Sequence, residues 1–270
     1  MATQFFHEMT EAVNWLPAPE RPVLRGGAEV HIWRADLRGD DLRDASRLEG
    51  LLSEDERERA ARFRFQKHRR RFVVARAGLR RVLGSYLALA PEEVKFRYSE
   101  FGKSMLDWAA NAGVPHQPLF FNVSHSGDMA VIAVASGGDV GVDVEKINPD
   151  FPWRDVAEQV FTADEIKWLR AFEKGDARDD GEKTVAAFFA LWTCKEAFLK
   201  ARGEGFSGDP KSVSILFQNQ APSLRDDVLD AARWSLRLFN VGANFAAALA
   251  FNQSLEKIEC FDVPEHDESR

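Results

Sequence analysis

The stretch Gly141-Val142-Asp143-Val144-Glu145-Lys146-Ile147 constrains this chain more than any other. Valine and acid alternate, which reads as a strand because successive side chains point to opposite faces. Val142 and Val144 demand a core on one side. Asp143 and Glu145 share the other, about 7 Å apart. Like charges so placed repel. The acidic face is therefore either a solvated sheet edge or a seat for something positive, a hard divalent cation being the natural candidate. This stretch alone leaves both readings open.

The rest of the chain bounds the answer. Its 270 residues, 45% hydrophobic and 29% charged, suffice for a buried core in one large domain or two smaller ones. A formal net charge of −7 argues against a general affinity for nucleic acid. Two cysteines, Cys194 and Cys260, make no disulfide framework, so a reducing cytosol is expected. No run of 18 apolar residues and no basic-then-apolar leader occurs, so the expectation is a soluble, cytoplasmic protein with no membrane partner.

Residues 1–28, with Pro17, Pro19 and Pro22, read as an extended lead-in, and Glu29–Leu37 alternates like a strand. Ser53 caps a helix running to about Phe63, and a second helix spans His68–Leu87. Two β-like runs flank Ser124-His125-Ser126-Gly127-Asp128. The turn Ser136-Gly137-Gly138-Asp139 then joins Ala130–Ala135 to Val140–Ile147, most simply as an antiparallel hairpin. Thr162 caps another helix, with a capping-box acid at Glu165. Lys174–Lys183 reads as a charged loop, followed by a long helix over Thr184–Arg202 stopped by Gly203 and Gly205. Strands are expected at Ser212–Gln218, Trp234–Asn240 and Asn244–Phe251, with the acidic tail from Glu256 to Arg270 fraying. This order of elements is α+β.

Three further features carry chemistry. In the long helix, Phe188, Phe189, Trp192 and Leu199 form an apolar stripe that also contains Lys195 and Glu196, with Lys200 at its edge. A buried Glu needs a metal or a cation, whereas an i,i+4 Glu196–Lys200 pair on a solvated helix is the ordinary alternative. Between Arg57 and Arg81 eleven Lys/Arg face one acid, Glu58, which suits either a solvated helix face or a compact polyanion such as a nucleotide phosphate. Asn122-Val123-Ser124-His125-Ser126-Gly127 lacks the Gly-X-Ser-X-Gly frame of a hydrolase. It reads as a ligand-contacting loop or a structural turn. Zinc-ligand spacing, a Walker loop and Gly-X-Gly-X-X-Gly are all missing from the sequence.

Taken together, Phe121-Asn122-Val123-Ser124-His125-Ser126, Gly141-Val142-Asp143-Val144-Glu145-Lys146 and Trp192-Thr193-Cys194-Lys195-Glu196-Ala197-Phe198-Leu199-Lys200 resemble the blocks of the two-lobed, surfactin-type 4'-phosphopantetheinyl transferases. His68-Arg69-Arg70-Arg71-Phe72 is similar to the cyanobacterial-style members. The resemblance covers about Ser53 to Gly205. Lys103 is followed by Ser104 where the family usually has Pro.

The resemblance implies two similar, pseudo-twofold-related lobes in one chain, an N-terminal lobe of 1–138 and a C-terminal lobe of 139–270, with the active site in the cleft between them. It implies transfer of the 4'-phosphopantetheine arm of coenzyme A to a serine of an apo carrier protein of polyketide, nonribosomal peptide or fatty acid biosynthesis, with release of 3',5'-ADP. It further implies a requirement for Mg²⁺ and a chain able to work as a monomer. Asp143, Glu145 and Glu196 would hold the ion. Glu196, with Asp143 and Lys200, would carry the catalysis, Glu196 as base. Arg59, Arg71, Lys103, Ser124, His125, Lys195 and Lys200 would contact coenzyme A. A Mg²⁺-dependent coenzyme A pyrophosphohydrolase and a non-catalytic coenzyme A-binding module are the alternatives.

Overall fold

A computed structural model describes residues 6, 8–26, 28–38, 42–111, 118–173, 179–203, 209–219 and 221–264. The chain builds the same arrangement twice. In the first half, β2 (Glu29–Asp36), the helix α3 (Gln66–Leu87), the small hairpin β3–β4 (Phe96–Tyr98, Ser104–Leu106), β5 (Phe120–Ser126) and β6 (Met129–Ala135) follow in order. In the second half, β7 (Val140–Lys146), α6 (Asp179–Arg202), the hairpin β8–β9 (Ile215–Gln218, Ala221–Leu224), β10 (Ser235–Leu238) and β11 (Phe245–Phe251) repeat that sequence. Both sheets place their strands first–third–second: β2-β6-β5 and β7-β11-β10, with antiparallel neighbours. Two short helices, α1 (Leu42–Glu49) and α2 (Glu54–Ala61), precede α3. Two others, α4 (Trp153–Val160) and α5 (Ala163–Arg170), precede α6. This is the expected α+β, two-lobed architecture.

The lobes meet sheet to sheet. Val30, Ile32, Val131 and Ala133 from the first half pack with Val142, Val144, Ala247 and Leu249 from the second, so the valine face of β7 is indeed buried. The two lobes also exchange their ends. The C-terminal strand β12 (Lys257–Asp262) lies parallel between β2 and the short β1 (Trp15–Leu16) in the first sheet. In return, Phe6 and Met9 sit in the core of the second half around Phe188, Leu191 and Ala248. A division at 138/139 therefore needs amending, because residues 257–262 complete the first sheet. The tail is not frayed over these residues. A sheet edge supplies the hydrogen bonds that an isolated acidic tail lacks. Residues 265–270 lie outside the described part.

The expected hairpin of Ala130–Ala135 with Val140–Ile147 does not form. β6 pairs with β2 and β5, whereas β7 pairs with β11 in the other sheet. The turn at Ser136–Asp139 thus hands the chain from one lobe to the other. The long helix also begins earlier than expected, at Asp179. Its last turn closes with Gly203 N–H donating to Leu199 O and Lys200 O at a left-handed φ of 75°. Gly205 and the start of the Lys174–Lys183 segment lie outside the described residues.

Candidate active site

The site is set by how closely α6 approaches β7. A Cβ on Gly141 would meet Ala197 O at 2.0 Å and Ala201 N at 2.5 Å, so only glycine admits the helix backbone here. Ala197 and Ala201 on the helix, with Ala246, Ala248 and Ala250 on β11, keep that contact thin. At this separation the next residue on the same face of β7, Asp143, lies beside Glu196 and Lys200.

Asp143 is 2% exposed. Its Oδ1 accepts hydrogen bonds from Lys200 Nζ at 2.6 Å and from Ser124 Oγ at 2.8 Å, and Lys200 also donates to Ser124 Oγ at 2.9 Å. Its Oδ2 is buried with no hydrogen-bond partner. Glu145, two residues on, accepts from Ser126 Oγ at 2.6 Å and from the Trp192 side chain. Its carboxyl is pushed up by burial first and by the charge of Asp143 after it, against the opposing hydrogen bonds and Lys200. Glu196 is pushed up to about 7. Burial is the largest cause, Asp143 and Glu145 add to it, and Lys200 offsets part. Three carboxylates thus converge on one region with charge they do not neutralise among themselves, and one buried oxygen waits for a partner. All-oxygen donors of this kind are the type a hard divalent cation takes.

The Asn-Val-Ser-His-Ser segment is strand β5, not a loop, and it lies against β7 without sharing a backbone ladder. Its alternate side chains make the join. Asn122 Oδ1 accepts from Val142 N–H at 3.0 Å, Ser124 bonds Asp143, and Ser126 bonds Glu145 and accepts from Lys146 N–H at 3.1 Å. Strand alternation sends His125 to the opposite face, where it is exposed. Ser124 and His125 are therefore separated: Ser124 belongs to the carboxylate side and His125 to the basic side. Although His125 reaches solvent, its ring is held below its ordinary range, first by the protein packed around it and then by the charges of Lys200, Arg59 and Arg71. Arg71 donates to Asp128 in the β5–β6 turn, and the Arg59 guanidinium lies 5.4 Å from the Phe72 ring centre.

Lys103 reaches across from the first lobe, donating to Ala201 O at 2.8 Å near the end of α6. Burial holds its ammonium below the usual range, with Asp139 opposing. Lys195 is a correction. It points away from the carboxylates and into the core of the second lobe, 1% exposed. There it donates to Glu165 Oε2 at 2.8 Å and to the carbonyls of Val160 and Pro210. Lys195 and Glu196 are adjacent, and a helix turns about 100° per residue, so neighbours on it do not share a target. Trp192, Asn122, Ser126 and Gly141 are the site residues that the sequence reading passed over. Their signal was the polar alternation of β5 facing the acidic alternation of β7.

Comparisons with known proteins point to one family. Residues 139–250 match the family model described as the 4'-phosphopantetheinyl transferase superfamily, and residues 42–137 match that of the 4'-phosphopantetheinyl transferase N-terminal region. The chain is 37% identical over 240 residues to the 4'-phosphopantetheinyl transferase HetI of Nostoc sp., covering 88% of this chain and 93% of that one. It is 31% identical over 215 residues to a phosphopantetheinyl transferase of Thraustochytrium sp., covering 76% and 72%. It is 26% identical over 227 residues to the L-aminoadipate-semialdehyde dehydrogenase-phosphopantetheinyl transferase of Schizosaccharomyces pombe, covering 75% and 83%. With the carboxylates, Lys200 and the β5–β7 join in place, the chain belongs to the 4'-phosphopantetheinyl transferase family, enzymes that activate carrier proteins.

Proposed function

We propose that the enzyme moves the 4'-phosphopantetheine arm of coenzyme A onto a serine of an apo carrier protein in a Mg²⁺-dependent reaction, releasing 3',5'-ADP. The observation that carries this reading is the buried, unpartnered Oδ2 of Asp143, flanked by Glu145 and Glu196. Asp143, Glu145 and Glu196 are the residues that would hold the ion, Glu145 steadied by Ser126 and Trp192. A Mg²⁺ ion held there would supply positive charge against the pyrophosphate and the leaving oxygen.

The chain's own groups do the rest. Glu196, poised near neutrality, takes the proton of the carrier serine as its Oγ forms the new bond to the β-phosphorus of coenzyme A. The bridging oxygen leaves with the electron pair on 3',5'-ADP. Lys200 turns from Asp143 toward a phosphate oxygen in this reading. Arg59, Arg71 and His125 form the cationic zone that takes the phosphates of the adenosine end, and Lys103 closes the cleft beside them. Ser124 holds Asp143 in place and is the further coenzyme A contact of this zone.

The active cleft in this proposal lies between the 1–138 lobe, completed by β12, and the remainder of 139–270. One chain supplies both halves, which suits a monomer. Among the described residues no helix is long and apolar enough to cross a membrane. A cytoplasmic enzyme acting on an acyl, peptidyl or polyketide carrier, with no nucleic-acid partner, is the setting proposed. The test is to incubate the enzyme with coenzyme A, an apo carrier and Mg²⁺ and to weigh the carrier. A gain equal to one phosphopantetheine, lost on chelation, is expected. Unchanged carriers with free phosphopantetheine released would replace this reading with a pyrophosphohydrolase.

A further inference from the structure

A second cation-ready cluster lies outside the cleft, on the first sheet where β12 joins β2. Glu29 and His31 on β2 and Glu259 on β12 each turn one ligand atom inward, and the three atoms lie within 4.8 Å of one another. The parallel register sets this up by placing Glu259 opposite His31, and Lys257 opposite Glu29. We propose that Glu29, His31 and Glu259 bind a zinc-class divalent cation that clips the C-terminal strand to the first sheet.

The distances favour it. His31 Nε2 lies 3.3 Å from Glu259 Oε2 and 3.6 Å from Glu29 Oε1. Ligand bonds of about 2.0–2.1 Å in a tetrahedron give ligand separations of about 3.4 Å. His31 is 1% exposed, yet its Nε2 has no hydrogen-bond partner, whereas its Nδ1 lies 2.6 Å from the Tyr86 hydroxyl. That hydroxyl also accepts from Trp33 Nε1 at 3.1 Å, and Glu29 Oε2 accepts from Arg25 N–H at 2.6 Å. Each inner ligand on β2 is thus oriented through its other polar atom, the usual outer support of a metal site. An imidazole with two carboxylates selects zinc, cobalt or manganese over magnesium or calcium.

The Lys257 ammonium competes for the carboxylates, at 3.2 Å from Glu29 Oε1 and 2.6 Å from Glu259 Oε1. Its side chain is 48% exposed, so its head can move into water when a cation enters.

The test uses the full chain carrying Asp143→Ala, so that binding in the cleft does not add to the signal. Zn²⁺ is titrated calorimetrically, Co²⁺ serves as a visible-absorption probe, and hydrogen exchange of the β12 amides is followed with and without Zn²⁺. One equivalent of Zn²⁺ is expected, together with slowed exchange over 257–262. Affinity should fall at least tenfold in Glu259→Gln and His31→Gln and rise in Lys257→Met. Glu259 is partly exposed, so Glu259→Gln carries the test if His31→Gln fails to fold. Loss of nothing in Glu259→Gln, no bound Zn²⁺, or Zn²⁺ that leaves β12 exchange unchanged would overturn the proposal.

Discussion

Lys200 Nζ sits 2.6 Å from Asp143 Oδ1, so the strand acid is neutralised by a helix lysine across the α6–β7 contact. Asp143 is almost fully buried, whereas the Lys200 side chain is 28% exposed. Lys200→Met should leave Asp143 with only the Ser124 hydroxyl and should destabilise the protein by about 1–3 kcal/mol, less than a fully buried pair. If Mg²⁺ takes the same carboxylate, saturating Mg²⁺ should recover most of that loss. Denaturant titrations with and without Mg²⁺ check this, and a deficit indifferent to Mg²⁺ would place the ion elsewhere.

Glu196 gives a pH signature. Its folded pKa of about 7 lies above the unfolded value of 4.5. The folded state therefore holds the proton more tightly, and this group's contribution to stability, full below pH 4.5, is lost as pH rises through about 7. Glu145 is shifted in the same direction. Glu196→Gln should match the wild type in melting temperature near pH 4.5 and exceed it at pH 8, by on the order of 2 kcal/mol in metal-free buffer. Added Mg²⁺ should narrow the gap, while activity of the variant stays low. A constant offset at all pH values would remove the raised carboxyl from the account.

Gly141→Ala tests the close approach of helix and strand. The new methyl would collide with the Ala197 carbonyl, a backbone atom that cannot swing aside. We expect a loss of about 3 kcal/mol or more, with turnover of the folded fraction reduced because α6 must shift and carry Glu196 and Lys200 with it. Ala248→Gly, on the neighbouring strand, should cost stability without that drop in turnover.

Lys195 separates core from chemistry. Lys195→Met leaves Glu165 buried without its cation, although Thr162 N–H and Ile215 N–H still donate to it. A loss of about 3–5 kcal/mol is expected. The turnover number of the protein that remains folded should stay near the wild type. A large fall in turnover at unchanged stability would return Lys195 to the coenzyme A site.

Much of this site was legible in the sequence because alternation and helical spacing are local rules. Val142 and Val144 buried on one side, Asp143 and Glu145 on the other, and Glu196 and Lys200 one turn apart follow from periods of 2 and 3.6. What was not legible depends on partners far along the chain. Lys195 lies beside Glu196 in sequence, but its direction is decided by Glu165 thirty residues earlier. The join at Ser136–Asp139 has the composition of a hairpin turn. Only the pairing of β7 with β11, more than a hundred residues later, makes it a crossing between sheets. The register of Glu259 opposite His31 is equally remote, so no window of sequence contains it.

The placement of β12 between β1 and β2 has a consequence for how the protein folds. Strand β2 and the strand that covers its edge, β12, are more than 200 residues apart in the chain. Phe6 and Met9 wait in the same way for the core around α6. Until β12 arrives the edge of β2 is open to any strand that meets it, and neither half completes its packing alone. The exchange of β12 for Phe6 and Met9 couples the completion of one half to that of the other.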